Sequence, residues 1–244
     1  MEARTVEVGR GLSWLACGWR NFTASPGMWI ALCVLLIVIS AVVSRIPMLG
    51  GLALSLFGPA LGGGLLYAAR EADQGRALKA AHLFRAFQEE GRLGPLVALG
   101  AVALAGAVVS VAVLFALAGG YMRMMAEGGR FEAGAGVPEG LLLAALIVLA
   151  VQLAVAMALA YATPLVMLRG APVGAALRSS FNACLRNTLP LLVFGLVYFF
   201  VALAASLPLM LGWVVLLPAS VGMLYCSYKD IYESRESSAV SRQS

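Results

Sequence analysis

Three times in this chain a stretch carrying Arg and aromatic residues runs into a proline that opens a long apolar run. The three prolines are Pro26, Pro95 and Pro190. After each, two apolar segments follow in succession. A helix needs roughly 20 apolar residues to cross a hydrocarbon layer about 30 Å thick. On that measure the segments at about 28–44, 48–69, 95–118, 140–168, 190–207 and 209–228 each read as a span. The chain of 244 residues is 61% apolar and 12% charged, with a mean hydropathy of +0.92. A water-soluble domain is nearer 25% charged, so lipid is the expected solvent. The expected fold is an all-α, polytopic membrane protein in a single domain, 1–244. It would place six transmembrane helices in three hairpins, each preceded by a cytoplasmic amphipathic helix. The short loops leave no room for a separate soluble catalytic domain.

The three polar segments, 5–24, 70–94 and 169–189, read as helices lying on the membrane. In the first, Leu12, Leu15, Trp19 and Phe22 recur at helical spacing, and Arg10 and Arg20 are placed to reach headgroups while their stems lie flat. Trp14, Trp19 and Trp29 suit the interface, where an indole keeps its N–H wet. In the second, Ala80, Leu83, Phe84 and Phe87 form an apolar stripe opposite Arg85, Gln88, Glu89, Glu90 and Arg92. In the third, Leu177, Phe181, Cys184 and Leu185 share a face beside Arg178 and Arg186. The loop 119–139 is Gly-rich, and the Ser-rich tail from Lys229 is expected to fray.

The first and last hairpins align. Arg20-Asn21 precedes Pro26 as Arg186-Asn187 precedes Pro190; Pro47 and Pro208 mark the turns; Pro59 and Pro218 fall inside the second segment of each pair. Counting on from those two, Ala60 matches Ala219, Gly63 matches Gly222, Leu65 matches Leu224, and Arg70-Glu71 matches Lys229-Asp230. This pattern suggests repeat units at about 8–72, 78–169 and 174–232, the middle one most diverged. Two segments per unit make the repeats parallel about an axis along the membrane normal. Of 17 Lys and Arg, all but Arg45, Arg123 and Arg130 fall on the side that holds both termini, 70–94 and 169–189. The positive-inside rule makes that side cytoplasmic. The first apolar run lies behind a polar segment and lacks a small-residue cleavage site, so no cleavable signal peptide is expected.

Chemistry is sparsely signalled. No Asp, Glu, Lys or His falls near the middle of a span, where such groups mark pumps and proton relays. Gln152 is the one strongly polar side chain there, either a substrate contact or a hydrogen bond between packed helices. Pro59 and Pro218 mark either broken helices around a cavity or simple kinks. Together with Gln152 they are the candidate cavity residues. Met122, Met124 and Met125 form a thioether group without Cys or His, too little for a metal site. His82, the only His, could serve an enzyme only beside Glu89 or Asp230. No phosphate loop, HExxH, GxSxG or converging carboxylate pair occurs in a suitable context. Cys17, Cys33, Cys184 and Cys226 share no CxxC spacing and read as buried, inert thiols. No metal, cofactor or nucleic-acid partner is expected.

The layout resembles an uncharacterised family of small proteobacterial inner-membrane proteins with six predicted spans. The residues that carry the likeness are Gly11 to Leu15 with Pro26 and Trp29, His82-Leu83-Phe84 with Phe87, Phe181 to Asn187 with Pro190, and Tyr225 with Tyr228 to Ile231. The general plan is also similar to the membrane domain of some glycerophosphodiester phosphodiesterases. This chain has no phosphodiesterase domain, so that activity does not carry over. The resemblance implies a bacterial inner-membrane location. The leading expectation is a non-enzymatic, multi-pass inner-membrane protein that organises lipid or scaffolds a membrane protein partner. Arg20, Arg85, Arg178 and Arg186 on its basic cytoplasmic face would bind anionic headgroups or the partner. The alternative is a small-molecule or lipid transporter with a mid-membrane cavity.

Overall fold

The computed structural model describes residues 3–47, 49–126, 139–207 and 209–233, with side chains described except at 120–126 and 139. Among these residues all regular structure is helical: α1 (Arg10–Thr23), α2 (Pro26–Val43), α3 (Leu49–Asp73), a 3-10 turn (Ala80–Phe84), α4 (Arg85–Gln88), α5 (Leu93–Ala126), α6 (Glu139–Ala160), α7 (Ala162–Arg169), α8 (Val173–Arg186), α9 (Thr188–Ser206) and α10 (Trp213–Tyr232). Five stretches are long and apolar enough to cross a membrane: Pro26–Val43, Leu49–Asp73, Leu93–Gly119, Gly140–Arg169 and Thr188–Ser206. The sixth expected span, α10, falls short of that standard. Its apolar part stops near Cys226, and its last turn carries Lys229 and Asp230. It is instead among the most buried helices, with most of its residues from Leu216 to Tyr232 enclosed.

The prolines act as their chemistry requires. Pro26 stands in the first turn of α2, where its missing N–H is no loss. Pro164 breaks the fourth span. A proline removes an amide and its ring crowds the carbonyl four residues back, and the helix parts at Tyr161. Ser180 of α8 enters the gap: its hydroxyl donates to the Met157 carbonyl at 2.7 Å and accepts the Tyr161 N–H at 2.9 Å. The freed backbone groups are thus satisfied inside the protein, as hydrocarbon demands. Gly170, at φ +68°, closes α7 in a left-handed cap, with its N–H on the Val166 carbonyl and that of Ala171 on the Leu165 carbonyl.

Each polar segment packs on helices distant in the chain or on those before it: the 3-10 turn on α3, α8 on α6 and α7, and α1 on α10. The last contact closes the chain into a ring. Close approach at these crossings is made possible by glycine. A Cβ on Gly18 of α1 would stand 2.8 Å from the Ala219 carbonyl oxygen, and one on Gly222 would stand 3.0 Å from the Gly18 oxygen. At the second crossing Gly64 of α3 leaves room for the Leu83 carbonyl.

Several expectations are corrected. The segment 70–94 is not one helix. It is the end of α3, a turn at Gly75, a 3-10 turn and one turn of α4, because Leu83 and Ala86 must reach the core over Gly64. The chain from Lys229 does not fray at once, for α10 runs on to Tyr232. Trp14 and Trp29 are buried rather than interfacial; their indoles donate to Asp230 and to the Asn21 carbonyl. Most of the loop 119–139 lies outside the described residues, as do the side chains of Met122, Met124 and Met125.

Candidate functional site at the polar end of the bundle

All ion pairs found among the described residues lie at one end of the bundle, where α1, the 3-10 turn, α4, α8 and the C-terminal ends of α3, α7 and α10 meet. The centre of this end is Asp230, 5% exposed on the last turn of α10. Its carboxylate accepts from Arg4, from Arg10 Nε at 2.6 Å and from Trp14 Nε1 at 3.1 Å. Burial pushes the Asp230 carboxyl up, but the bonds from Arg10, Trp14 and Arg4 outweigh it and hold it below its ordinary value. Asn187, fully buried, pins the segment before α1: its Oδ1 accepts the Val6 N–H at 2.8 Å and its Nδ2 donates to the Arg4 carbonyl at 3.0 Å. Asn21 donates to the Ala69 carbonyl at 3.0 Å. Lys229 Nζ reaches Asp73 Oδ2 at 2.5 Å and so ties the end of α10 to that of α3.

Against this paired set stand three of the four arginines singled out from sequence. Arg20, Arg178 and Arg186 are exposed, and no carboxylate lies in ion-pair reach of any of them among the described residues. Arg85 differs: it lies 3.3 Å from Glu89 and over the Tyr67 ring at 5.1 Å. Beside the unpaired cations the protein leaves apolar side chains uncovered. On α1, Leu12 and Trp19 are each 51% exposed; on α8, Leu185 is 55% exposed. The face of α1 that the protein covers is another one, formed by Gly11, Trp14, Gly18 and Phe22. Arg10, expected at headgroups, is bound to Asp230 instead.

Two clefts among the described residues bear on this site. One, of about 670 Å³, lies between α1 and the ends of α3 and α10. It is bordered by Arg10, Arg20, Lys229, Asp73 and Glu233, and its wall contains Cys17 and Cys226. These two sulfurs are bonded, with Cα atoms 6.2 Å apart. The expectation of four inert thiols is therefore corrected for this pair. Only tertiary structure brings together residues 209 positions apart. The second cleft, about 400 Å³, lies between α3, α6, α7 and α10 and is apolar apart from Thr163; Pro59, Gly62 and Ala156 line it. Of the candidate cavity residues, Pro59 is here, while Pro218 is buried elsewhere on α10 and Gln152 is exposed on the outer face of α6. The structure does not gather the three.

His82 meets neither proposed enzymatic partner. Its ring stands edge-on to Tyr67 at 5.5 Å and its Nδ1 accepts the Lys79 N–H at 3.4 Å. Partial burial, aided by Lys79, Arg85 and Arg76 and opposed by Glu71, lowers its pKa. Glu89 is engaged by Arg85 and Arg92, and Asp230 by Arg4 and Arg10. Sequence reasoning missed Asp230 and Asn187 as the organisers of this end. The matching of Arg70-Glu71 with Lys229-Asp230 and of the two Arg-Asn pairs was the available signal; in both Arg-Asn pairs the structure exposes Arg and buries Asn.

A fold of this composition, with five helices fit to cross a bilayer and the ion pairs among its described residues drawn to one end, is that of an all-helical integral membrane protein. The chain is similar to a probable inner membrane protein of Burkholderia thailandensis, with 29% identity over 95% of this chain and 93% of that protein. No family model matches, and no solved structure matches.

Proposed function

We propose that this is a non-enzymatic protein of the bacterial inner membrane that binds and organises anionic lipid through its polar end. The observation that carries the reading is that Arg20, Arg178 and Arg186 are exposed with no carboxylate in ion-pair reach among the described residues, with Trp19 uncovered beside Arg20 and Leu185 beside Arg186. An exposed Leu and Trp next to a free guanidinium suit a helix resting at the headgroup boundary, where each nearby cation contributes about 1 kcal/mol on an anionic leaflet. The location is drawn from the Burkholderia relative and the apolar helices. The basic excess makes the polar end, with both termini, cytoplasmic. In this reading α10 crosses as a sixth, protein-enclosed helix, and the ring of crossings made by α1, the 3-10 turn and α8 reflects three repeated hairpins, each led by an amphipathic segment. The apolar cleft at Pro59 would take an acyl chain. Its lining favours this over the transport of a polar solute, and favours lipid over a protein partner as the main ligand.

The test is to purify the protein in mild detergent and measure co-purified anionic phospholipid. Changing Arg20, Arg178 and Arg186 together to Glu should remove most of it, with Arg85→Glu adding little because that side chain is already engaged. Retention of lipid by the triple variant would refute the reading.

A further inference from the structure

The four cysteines divide into two kinds. Cys33 and Cys184 are free and buried, and burial pushes the Cys184 thiol up to about 11, which leaves it unreactive. Cys17 and Cys226 are bonded across the α1–α10 interface, in the wall of the open charged cleft. Cys17 is partly exposed, whereas Cys226 is 5% exposed. The cytosol keeps thiols reduced, and disulfides that form there are transient, catalytic or redox-sensing. A bond on the basic end of this protein, open to solvent, fits an exchangeable link and not a permanent staple.

We propose that Cys17–Cys226 is a reversible thiol–disulfide exchange site whose co-substrate is a small thiol carrying both carboxylate and ammonium groups. The inference rests on the cytoplasmic placement of the polar end given above. The cleft is the size of a small-molecule site. Of its cations, Arg10 is bound to Asp230 and Lys229 to Asp73, while Arg20 has no carboxylate in ion-pair reach among the described residues; Asp73 and Glu233 are its acidic border. A smaller recess of about 170 Å³ shares Cys17, Arg20 and Asp73 with it and adds Asn21. Asn21 is 7% exposed, and its Oδ1 is a buried acceptor with no hydrogen-bond partner. A ligand's ammonium suits Asn21 Oδ1 and Asp73, and its carboxylate suits Arg20.

In the exchange, the small thiolate attacks the Sγ of Cys17, the more exposed of the two residues. A mixed disulfide forms, the Cys17–Cys226 bond breaks, and its electron pair leaves on Cys226 Sγ. That thiolate, one turn before Lys229, then takes a proton from solvent. A second small thiolate attacks the sulfur of the bound small thiol, releasing Cys17 as a thiol after protonation and the small thiol as its oxidised dimer. Two small thiols are oxidised by two electrons and the protein disulfide is reduced by two; the reverse sequence closes it. Reduction removes the covalent link between α1 and α10 but leaves the Asp230 bonds and the Gly18–Gly222 crossing, so the link acts as a second, releasable hold on α1.

The protein in lipid nanodiscs, with Cys33→Ser and Cys184→Ser, is treated with reduced glutathione or with neutral 2-mercaptoethanol and followed by intact mass. Glutathione should give a transient adduct at Cys17 and then two free thiols. Arg20→Glu should slow glutathione about tenfold and leave 2-mercaptoethanol nearly unchanged, as expected for charge steering. No reduction by either reagent, equal slowing of both, or reduction by a protein dithiol alone would overturn the proposal. Sidedness is read separately, from Gln74→Cys in a chain with all four cysteines changed to Ser. Labelling of that residue by an impermeant maleimide in intact cells would overturn the cytoplasmic placement, whatever the nanodisc result.

Discussion

The α1–α10 interface and the outward faces of α6 and α9 obey different rules. At the interface, Asp230, Trp14, Tyr228 and Ile231 are enclosed, the helices touch at glycines, and the Asp230 carboxylate finds specific partners. In the most apolar windows of the Gly140–Arg169 and Thr188–Ser206 helices, only 6% of residues are buried, and Leu149, Leu153, Leu192 and Leu196 stand exposed. In water the second region would be unstable. In lipid it costs little, because acyl chains are as apolar as leucine. Apolar burial therefore cannot be what selects one arrangement of these helices. Selection falls to hydrogen bonds, ion pairs and close packing, and these are concentrated at the polar end.

That contrast can be broken in graded steps. Asp230→Ala should give the largest loss, about 2–3 kcal/mol in denaturant unfolding from micelles. This is below the usual cost of breaking a buried pair, because the Arg4 and Arg10 side chains are 40% and 49% exposed and can turn to water. A loss of a few tenths would show that the ion cluster does not organise this end. The same group sets an acid limit. Its folded pKa lies below its unfolded value, so its contribution is fully present above about pH 4 and disappears as pH falls through the folded value. Asp230→Asn should flatten that acid transition. Gly18→Leu should come next, at roughly 1–3 kcal/mol for overpacking, since even a Cβ there lies 2.8 Å from the Ala219 oxygen. Ser180→Ala should cost about 1–2 kcal/mol by orphaning the Tyr161 N–H and the Met157 carbonyl. Smallest of all, Leu196→Ala on the lipid face should change stability by less than about 0.5 kcal/mol. A large effect there would mean that the face is covered by another protein.

The amino-acid order alone determined the solvent and most of the apolar helices. The runs read as 28–44 and 190–207 return as Pro26–Val43 and Thr188–Ser206, because twenty apolar residues in succession have few other stable states. It also marked the exposed arginines of α1 and α8, since an uncovered Leu or Trp beside Arg is a local pattern. Folding in three dimensions decided what joins distant residues. Asp230 receiving Arg4 and Arg10, Ser180 filling the gap made by Pro164, and Cys17 meeting Cys226 all depend on which helix lies beside which. Hydrophobic periodicity is silent on that choice: every side of a membrane helix meets something apolar, whether neighbour or lipid, and the few polar groups that discriminate lie far apart along the chain.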